Sequence, residues 1–326
     1  MKLPTFSSSP LLSKGFGFLS ALRETVFGIS FLSIFRQHFN HFLAFYPTIG
    51  TIRVFNLNHK SQGVTLTSTS DIDISTLEQE FAAARIGCSL KILSQIDSTN
   101  EEIKRNLAEN LPEGAVVIAG LQTHGKGRQG RSWHSEPGSG LYLSVLLKPS
   151  FPTENLACIT LMAGVAAAST LKHYAPVKLK WPNDILLNGK KLAGILCECV
   201  PGATPAVIVG IGINLNHTHF PKEIQGKATS LKLETGITLD RTNLILNLLK
   251  SLDTEYEAIL QGKIENLICK WTDQSDMFGQ TVTVYQKGKN LVGKALGLNS
   301  QGKLILQTPE GEQRLLDSGE VSFNPI

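Results

Sequence analysis

Eleven consecutive residues, 123–133, bring together side chains that could bind a small, negatively charged molecule. The stretch holds three glycines, three permanent cations and a tryptophan, and it contains no carboxylate. Glycine lets a ligand approach the backbone closely, alternating cations suit a row of phosphates, and an indole offers a flat face for a ring. We therefore predict a flexible loop that closes over an anionic ligand. Its distinctive residues are Gly125, Lys126, Gly127, Arg128, Gly130, Arg131 and Trp133.

Three other interpretations of this loop are weaker. The glycines fit the G-x-G-x-x-G pattern of a dinucleotide-binding turn, but that turn needs a helix beginning inside it, and Pro137 prevents one. A protein-kinase loop is excluded because no HRD or DFG sequence follows. A basic loop without a ligand would be costly to order, at about 1–2 kcal/mol of backbone entropy per residue. Charge-assisted hydrogen bonds to an anion, at ~1.5–3 kcal/mol each, could order it.

A second group of polar residues begins a predicted helix. Residues 97–100 read Asp-Ser-Thr-Asn, and pairing of Ser98 with Glu101, or of Thr99 with Glu102, fits a capping box. This structural role alone explains the pattern. Because hydroxyl and backbone N–H groups at a helix start can also bind a polar ligand, the functional interpretation stays open beside it.

The hydrophobic pattern predicts an α/β domain followed by a small all-β module. Asn188-Gly189, between two apolar runs, is a strong hairpin signal. From residue 277 onward only short strands separated by glycine turns are expected, as in a barrel of ~50 residues. The predicted strands are 90–96, 115–121, 141–147, 177–181, 184–187, 192–198 and 206–213, then 281–285, 291–298, 303–307 and 313–316. The predicted helices are 71–87 with Gly87 as its C-cap, one to about residue 110, 156–174, 240–261 and a shorter one ending at Trp271.

The composition is that of a globular protein of two or three domains, with 326 residues, 42% hydrophobic and 18% charged. Five cysteines without a CxxC pair favour reduced thiols and do not predict a metal site. We expect His217 and His219 to be exposed, and they do not predict a metal site either. Residues 1–70 hold six cations and one acid while the rest is close to neutral, so the formal charge of +4 does not indicate a nucleic-acid partner. This segment is predicted to be a non-catalytic extension, disordered or a transit segment, and its apolar run 25–35 is too short to span a bilayer.

Taken together, four motifs resemble the signature of biotin–protein ligases. Each motif alone is weak, but the combination, in family order, is highly specific. The similarity runs from about residue 87 through the carboxy-terminal barrel. The motifs are Asp97-Ser-Thr-Asn100, Gly125-Lys-Gly-Arg-Gln-Gly-Arg-Ser-Trp133, Lys180-Trp-Pro-Asn-Asp184 with Lys190-Lys-Leu-Ala-Gly-Ile195, and Gly210-Ile-Gly-Ile-Asn214.

This resemblance implies a fold and a reaction. The fold is α/β (α+β), with a mixed-sheet, class II synthetase-like catalytic domain expected at residues 71–275 and an SH3-like barrel at 276–326. The reaction joins biotin to ATP, with Mg²⁺, to give biotinyl-5′-adenylate and pyrophosphate. The biotinyl group then passes to one lysine of the biotin carboxyl-carrier domain of a biotin-dependent carboxylase, such as that of acetyl-CoA carboxylase.

Carried over by position, the resemblance also implies site residues. Lys191 and Arg128 would neutralise the charge that develops as a carboxylate attacks the α-phosphate. Asp184 would orient Lys191 or the incoming lysine, and a purely structural role, capping the turn after Pro182, is equally open. Lys126, Gly127 and Arg128 would line the loop that closes on biotin and its adenylate, with Ser98, Thr99 and Gln122 at the biotin rings. The whole implied binding set is Ser98, Thr99, Asn100, Gln122, Gly125, Lys126, Gly127, Arg128, Arg131, Trp133, Lys191, Gly194 and Asn214.

Two departures from the family pattern shape the remaining expectations. Lys126 stands where the family often has arginine, and it lacks the planar guanidinium fork. Residues 1–70 show no clear helix-turn-helix, so we expect no DNA partner. Their apolar run is too short to span a bilayer, so we expect no membrane partner, and a homodimer stays open. The alternatives are a lipoate–protein ligase of the same fold and a DNA-binding biotin sensor. We expect a cytoplasmic protein, or a plastid or mitochondrial one if residues 1–70 are a transit peptide.

Overall fold

A seven-stranded mixed sheet forms the centre of the larger part of the molecule. The computed structural model describes residues 72–201 and 205–323. The strands are β1 (Ser89–Leu93), β2 (Ala115–Ala119), β3 (Gly140–Leu147), β4 (Lys178–Lys180), β5 (Asp184–Leu187), β6 (Lys190–Val200) and β7 (Ala206–Asn214). Their order is β1-β2-β3-β7-β6-β5-β4, with β1 and β2 parallel and every other neighbouring pair antiparallel.

Helices cover the two faces of this sheet unequally. They are α1 (Ile74–Phe81), α2 (Thr99–Asn106), α3 (Ala157–Leu171), α4 (Leu231–Thr235), α5 (Arg241–Leu260) and α6 (Ile264–Asp273). α3 packs on β4–β7 and is backed by α5 and α6, so one face is closed. α2 packs mainly on β2, β3 and β7 on the other face, which leaves the middle of β6 and β7 open beside it.

The closed face depends on the small residues of α3. This helix is apolar on nearly all sides, as expected of one buried between a sheet and other helices. At Gly164, an added Cβ would lie 3.3 Å from Leu179 Cδ2 and 3.7 Å from Trp271 Nε1. The sheet and the second helical layer therefore approach α3 at its glycine and alanines.

A five-stranded antiparallel module follows the sheet domain. Its strands are β8 (Thr281–Gln286), β9 (Lys289–Leu298), β10 (Leu304–Gln307), β11 (Gln313–Leu316) and β12 (Glu320–Ser322), in the order β11-β10-β9-β8-β12. Apolar residues of both parts form one continuous core. The indole Nε1 of buried Trp181 donates to Gly302 O at 3.1 Å, so the module is joined to the sheet by a specific polar contact as well.

The predicted α/β fold with a β-rich carboxy-terminal part is confirmed. The hairpin at Asn188-Gly189 is also confirmed, since both residues have positive φ, 51° and 77°. The short elements α4 and β12 had no counterpart among the predicted elements. The expectations for residues 1–70 lie outside the described part of the chain. Within the described part, no helix combines the length and the apolar character that a membrane crossing requires.

Two local predictions are wrong. Helix α1 ends at Phe81, well before Gly87, because the following backbone bonds elsewhere: Ile86 N donates to Asp253 Oδ1 at 3.1 Å and Gly87 N to Gly114 O at 2.8 Å. The capping box does not form either. Ser98 is the N-cap of α2, but its side chain accepts no capping hydrogen bond. The two acids proposed to complete the box instead bind lysine and arginine side chains.

Candidate functional site

A cavity lies on the open face of the sheet, next to α2. Its position follows from the fold, because the sheet is covered there only by the start of α2 and by the 123–133 loop. The two motifs that the sequence pattern singled out therefore line one space. The remaining walls come from β6 and β7, from the turn between β4 and β5, and from residues 319–321 of the carboxy-terminal module.

Neutral polar side chains form one wall of the cavity. Gln122 Oε1 accepts from the backbone N–H of Thr99 at 2.9 Å and lies 3.2 Å from its hydroxyl. The buried Ser144 hydroxyl lies 2.6 Å from Thr99 Oγ1 and 2.5 Å from Asn100 Oδ1. Because each group is fixed by another, this wall is rigid and presents hydrogen-bonding groups without net charge, which suits a neutral polar ring.

Charged residues behind that wall connect α2 with the loop. Asn100 Nδ2 donates to Glu198 Oε2 at 2.7 Å, and Lys104 Nζ lies 2.7 Å from the other Glu198 oxygen. Glu101 Oε1 accepts from Lys104 at 2.8 Å and from Lys126 at 2.7 Å. Hydrogen bonds from these two lysines lower the pKa of Glu101. The loop cation Lys126 is thus held by α2.

Trp133 lies flat on two glycines of the sheet. Gly194 and Gly212 face each other across β6 and β7. A Cβ at Gly212 would lie 2.5 Å from Trp133 Cε2, and a Cβ at Gly194 would lie 2.9 Å from Trp133 Cζ3. The ring can therefore rest there only because both residues are glycine. Its Nε1 is buried without a hydrogen-bond partner among the described residues, which leaves a donor for a ligand.

Two lysines and one carboxylate meet at the β4–β6 end of the cavity. Lys191 Nζ lies 2.6 Å from Asp184 Oδ1, and Lys180 Nζ lies 3.5 Å from Asp184 Oδ2. The β5–β6 register pairs Asp184 with Gly194 and Leu186 with Lys191, so the Asp184 and Lys191 side chains meet diagonally across the two strands. Lys191 Nζ also lies 5.5 Å from the centroid of the Trp133 ring, within the range of a cation–π contact. The group carries a net positive charge beside the indole.

Arg128 extends from the loop toward the β4–β5 turn, and its guanidinium makes no direct ion pair with any residue that the structure describes. Its Nη1 donates to Asn183 Oδ1 at 3.0 Å and to Gly319 O at 3.3 Å, and both acceptors are neutral. Burial lowers the pKa of the guanidinium, and the nearby Asp184 carboxylate opposes that shift. A guanidinium placed in this way is suited to receive an anionic ligand.

Arg131 joins the same loop to β12 of the carboxy-terminal module. Its Nη1 donates to Glu320 Oε1 at 3.0 Å, and its Nη2 pairs with Glu320 Oε2. The hydrogen bonds raise the pKa of Arg131 and lower that of Glu320. A second, wider cavity begins here and shares Trp133 and Lys191 with the first. The site therefore continues past the indole toward the module.

Nearly all of the residues predicted for the site line the first cavity. Gly125 lies behind it, where a Cβ would meet Trp133 O at 2.8 Å, so the glycine permits the backbone pairing that shapes the loop. Asn214 lines the second cavity and donates to Thr229 O at 3.0 Å. The predicted residues in the first cavity are Ser98, Thr99, Asn100, Gln122, Lys126, Gly127, Arg128, Arg131, Trp133, Asp184, Lys191 and Gly194.

Several residues of the site were not assigned a role from the sequence. Lys180 and Asn183 belong to a motif that was recognised, so their spacing from Asp184 was an available signal. Ser144 and Glu198 reach the site through strand register, and Glu320 reaches it from a module almost 190 residues further along the chain. No local pattern marks these three.

Comparison with known proteins identifies the family. The biotin/lipoate A/B protein ligase family matches residues 92–216, and the biotin protein ligase C terminal domain matches residues 277–324. The bifunctional ligase/repressor BirA of Bacillus subtilis is 35% identical over 230 residues, which cover 69% of this chain and 70% of that protein. The chain belongs to the biotin protein ligase family. The biotin–[acetyl-CoA-carboxylase] ligase of Mycobacterium tuberculosis is 32% identical over 262 residues, covering 77% of this chain and 95% of that protein.

A solved structure agrees with this assignment. The biotin protein ligase of Aquifex aeolicus, in complex with biotin and ATP, has 34% sequence identity and a TM-score of 0.64, and the similarity covers 72% of this chain and 97% of that one. The present ligase is therefore an enzyme with the family's mixed α/β catalytic fold and its β-rich carboxy-terminal part.

Proposed function

We propose that this ligase activates biotin with ATP to biotinyl-5′-adenylate and transfers the biotinyl group to a specific lysine of a biotin carboxyl-carrier protein, such as that of acetyl-CoA carboxylase. The observation that carries the proposal is that the two ends of the first cavity differ in charge. One wall is neutral and hydrogen-bonding, around Thr99 and Gln122, while the other end is cationic, around Lys191 and Arg128. Biotin divides in the same way, into an uncharged bicyclic ring system and a carboxylate.

The neutral wall is suited to the ring system. A ureido group needs both donors and acceptors, and hydroxyl and amide side chains supply both. Ser98, Thr99 and Gln122 are proposed to contact the rings, while Ser144, which is itself bonded to Asn100, holds Thr99 in place. No charged group forms this wall, so binding the rings there does not require the protein to bury an ion. The carboxylate end of biotin is directed instead to the cationic end of the cavity.

The cationic end is suited to the first chemical step. A carboxylate oxygen of biotin attacks the α-phosphorus of ATP, the bond to pyrophosphate breaks, and a mixed anhydride forms. Two anions must approach each other, so the protein has to supply positive charge. Lys191 is proposed to bind the carboxylate and the non-bridging phosphate oxygens, with Arg128 on the same oxygens. Asp184 is a positioning residue, since it contacts the ammonium group of Lys191.

The second cavity is suited to the nucleotide. Trp133 forms the partition between the cavities, with Asn214 and Phe220 further along the same space, and Arg131 stands at its edge. Mg²⁺ would be held chiefly by phosphate oxygens and water, because the carboxylates of Asp184 and Glu320 are already paired with cations. When bound, it would shield the charge of the departing pyrophosphate.

In the transfer step the carrier lysine attacks the anhydride carbonyl and AMP leaves. The mixed anhydride is prone to hydrolysis, so the loop has to exclude water until the carrier arrives. Its contacts to three separate elements support this role: Lys126 to α2, Arg128 to the β4–β5 turn, and Arg131 to β12. These contacts hold the loop over the cavity at hydrogen-bond distances of 2.7 to 3.0 Å.

Isotope exchange between ATP and pyrophosphate tests the substrate directly. Exchange should require biotin and should not occur with lipoate. Exchange with lipoate but not with biotin would show that lipoate is the substrate. Lys191→Ala should abolish exchange and carrier labelling. Lys190→Ala is the matched control, because Lys190 is the exposed neighbouring residue and pairs with Glu234. Labelling by Lys191→Ala at the full rate would refute the role of Lys191.

We also propose a domain organisation, a location and an assembly state. Residues 71–275 would form the catalytic domain, 276–326 the SH3-like barrel, and 1–70 a non-catalytic extension. A cytoplasmic location is supported by bacterial relatives such as the Mycobacterium tuberculosis ligase, and mass spectrometry of the mature amino terminus would test it. Homodimerisation and the lack of a DNA partner stay predictions, to be tested by sedimentation and by salt-dependent binding to duplex DNA.

A further inference from the structure

Three potential metal ligands meet beside the second cavity. His134 and Glu136 lie between the 123–133 loop and β3, and His217 lies just after β7. Each offers one ligand atom, and these atoms are all within 4.8 Å of one another. His217 is fully buried and the other two are half-buried. Among the described residues, this is the one group of three or more His, Cys, Asp or Glu side chains close enough to share an ion. The prediction that His217 is exposed is therefore wrong.

Two of these side chains carry a buried polar atom that no described residue satisfies. The atoms are Nδ1 of His217 and Oε2 of Glu136. Stacking of His217 on Phe220, with ring centroids 5.2 Å apart, accounts for the position of the ring but gives Nδ1 no partner. Buried polar atoms in native proteins are almost always bonded. A cation would satisfy both atoms at once, because each offers a lone pair.

The other ring nitrogen of His217 faces a group that can fix its tautomer. Nε2 lies 3.4 Å from the hydroxyl of Tyr142, which also accepts the backbone N–H of Glu136 at 3.1 Å. A ring proton on Nε2, directed at this oxygen, leaves the lone pair of Nδ1 free. A metal-binding histidine is normally held from behind in this way. One phenol thus contacts two members of the group.

The backbone already holds the two segments together. The N–H groups of Leu215 and Asn216 donate to Ser139 O at 3.2 and 2.6 Å, and Ser230 Oγ donates to His217 O at 2.7 Å. Metal–nitrogen bonds of ~2.0–2.1 Å in a tetrahedral site place the ligand atoms roughly 3.4 Å apart. The widest pair would have to close by about 1.4 Å at most, which side-chain rotation of the half-buried His134 and Glu136 can supply.

We propose that His134, Glu136 and His217 bind one divalent transition-metal ion of the Zn²⁺ type. Two imidazoles and one carboxylate suit such ions, whereas Mg²⁺ and Ca²⁺ prefer oxygen ligands alone. Three protein ligands leave a fourth position for water. The ion would tie the end of the 123–133 loop to the segment after β7. His134 also lines the second cavity, so the ion stiffens one of its walls. This site is separate from any Mg²⁺ that accompanies ATP.

Metal binding by the full-length protein tests the proposal without reference to activity. The chelator-treated protein is titrated with Zn²⁺ against a chromophoric indicator, and separately with Co²⁺. We expect one tightly bound Zn²⁺ per chain and a visible Co²⁺ spectrum without a thiolate charge-transfer band. Glu136→Gln and His134→Asn, both at half-buried positions that tolerate the change, should each weaken binding by about 100-fold or more, beyond the 10–100-fold typical of losing an outer partner. Zn²⁺ should raise the Tm of the wild type but of neither variant.

His173→Asn is the control, since His173 is exposed just after the end of α3, where its Nδ1 lies 3.1 Å from Thr170 O. It should bind Zn²⁺ like the wild type. The proposal is overturned if the wild type binds no more Zn²⁺ than Glu136→Gln does, because water rather than an ion would then fill the site. It is also overturned if a thiolate band shows that Co²⁺ is held by cysteine, or if His173→Asn loses the ion equally.

Discussion

Gly212 shows how one missing side chain shapes the site. A Cβ there would lie 2.5 Å from Trp133, so Gly212→Ala must move the indole off the sheet. We propose that the indole stacks on the adenine, so a loss of about 1–3 kcal/mol is expected, which is roughly a 5- to 150-fold weaker affinity for ATP. Calorimetry would measure it. Gly297→Ala is the control, because nothing lies within 4 Å of its added Cβ. Equal ATP affinity in both variants would contradict stacking on Trp133.

Asp184 should act through Lys191, without touching the substrate. Asp184→Asn keeps the shape but weakens a charge-assisted hydrogen bond of 2.6 Å. Such bonds contribute about 1.5–3 kcal/mol, so kcat should fall roughly 10- to 150-fold while KM for biotin changes little. Steady-state carrier labelling checks both parameters. Asp276→Asn breaks an exposed pair with Lys178, also 2.6 Å long, and should change neither. A rise in KM with an unchanged kcat would assign Asp184 to substrate binding instead.

Site residues divide into those that sequence can indicate and those that it cannot. Gly194 and Lys191 lie in one short motif, and a hairpin turn fixes their strand, so local pattern was sufficient. The position of Glu320 depends on how the carboxy-terminal module docks, which no short stretch encodes. His217 was predicted to be exposed because its neighbours are polar. Its burial follows from packing against Phe220 and Tyr142, which are distant from each other in sequence.

At the scale of elements, the Arg131–Glu320 pair should keep the loop closed before any ligand arrives. Both side chains are about half exposed, and exposed pairs contribute only about 0.2–1 kcal/mol. Glu320→Gln should therefore speed trypsin cleavage at Arg128 and Arg131 by about 1.4- to 5-fold, since cleavage follows the open population. Glu312→Gln removes another exposed pair, with Arg314 in the same module, and should leave cleavage unchanged.

The same digestion tests whether ligands order the loop. Biotin and ATP together should slow cleavage near Lys126 and Arg128 in the wild type and should reduce the difference that Glu320→Gln produces. Cleavage at the same rate with and without the two ligands would refute ordering by ligand. An identical cleavage rate in the wild type and in Glu320→Gln would show that the Arg131–Glu320 pair does not keep the loop closed.

The elements themselves were largely predictable, because their patterns are local. The apolar strands, the long helices and the Asn188-Gly189 hairpin each follow from residues within one short window. The predictions of helix ends and short strands failed where hydrogen bonds to distant residues override the local conformational preference. The helix expected over 71–87 is cut short because Ile86 bonds to α5 and Gly87 bonds to Gly114, just before β2. Strand β12 has three residues and exists only by pairing with β8.

At the scale of the whole molecule, the carboxy-terminal module docks on α3 through a turn at Gly302. Its carbonyl accepts from Trp181 Nε1, and a Cβ at Gly302 would lie 2.7 Å from Leu161 Cδ1 and 3.7 Å from Cys158 Sγ. Cys158 is fully buried at this junction, and burial raises the pKa of its thiol to about 11. Because only the thiolate reacts with alkylating agents, this cysteine should be inert near pH 8 while the module stays docked.

Undocking the module should therefore activate Cys158. Gly302→Val puts a branched side chain against Leu161, and it also strains a residue with φ of +76°. Gly311→Val imposes similar strain at φ of +89° with nothing within 4 Å, so it isolates the effect of packing. Once Cys158 is exposed, its pKa returns toward about 8.5 and the thiolate fraction at pH 8 rises more than tenfold. Iodoacetamide labelling followed by mass spectrometry should show faster modification of Cys158 in Gly302→Val alone, with exposed Cys269 as the internal reference. β12 supplies Glu320 to the loop, so trypsin cleavage at Arg131 should also rise in Gly302→Val. Fast labelling of Cys158 with unchanged cleavage would show that the loop stays closed when the module undocks.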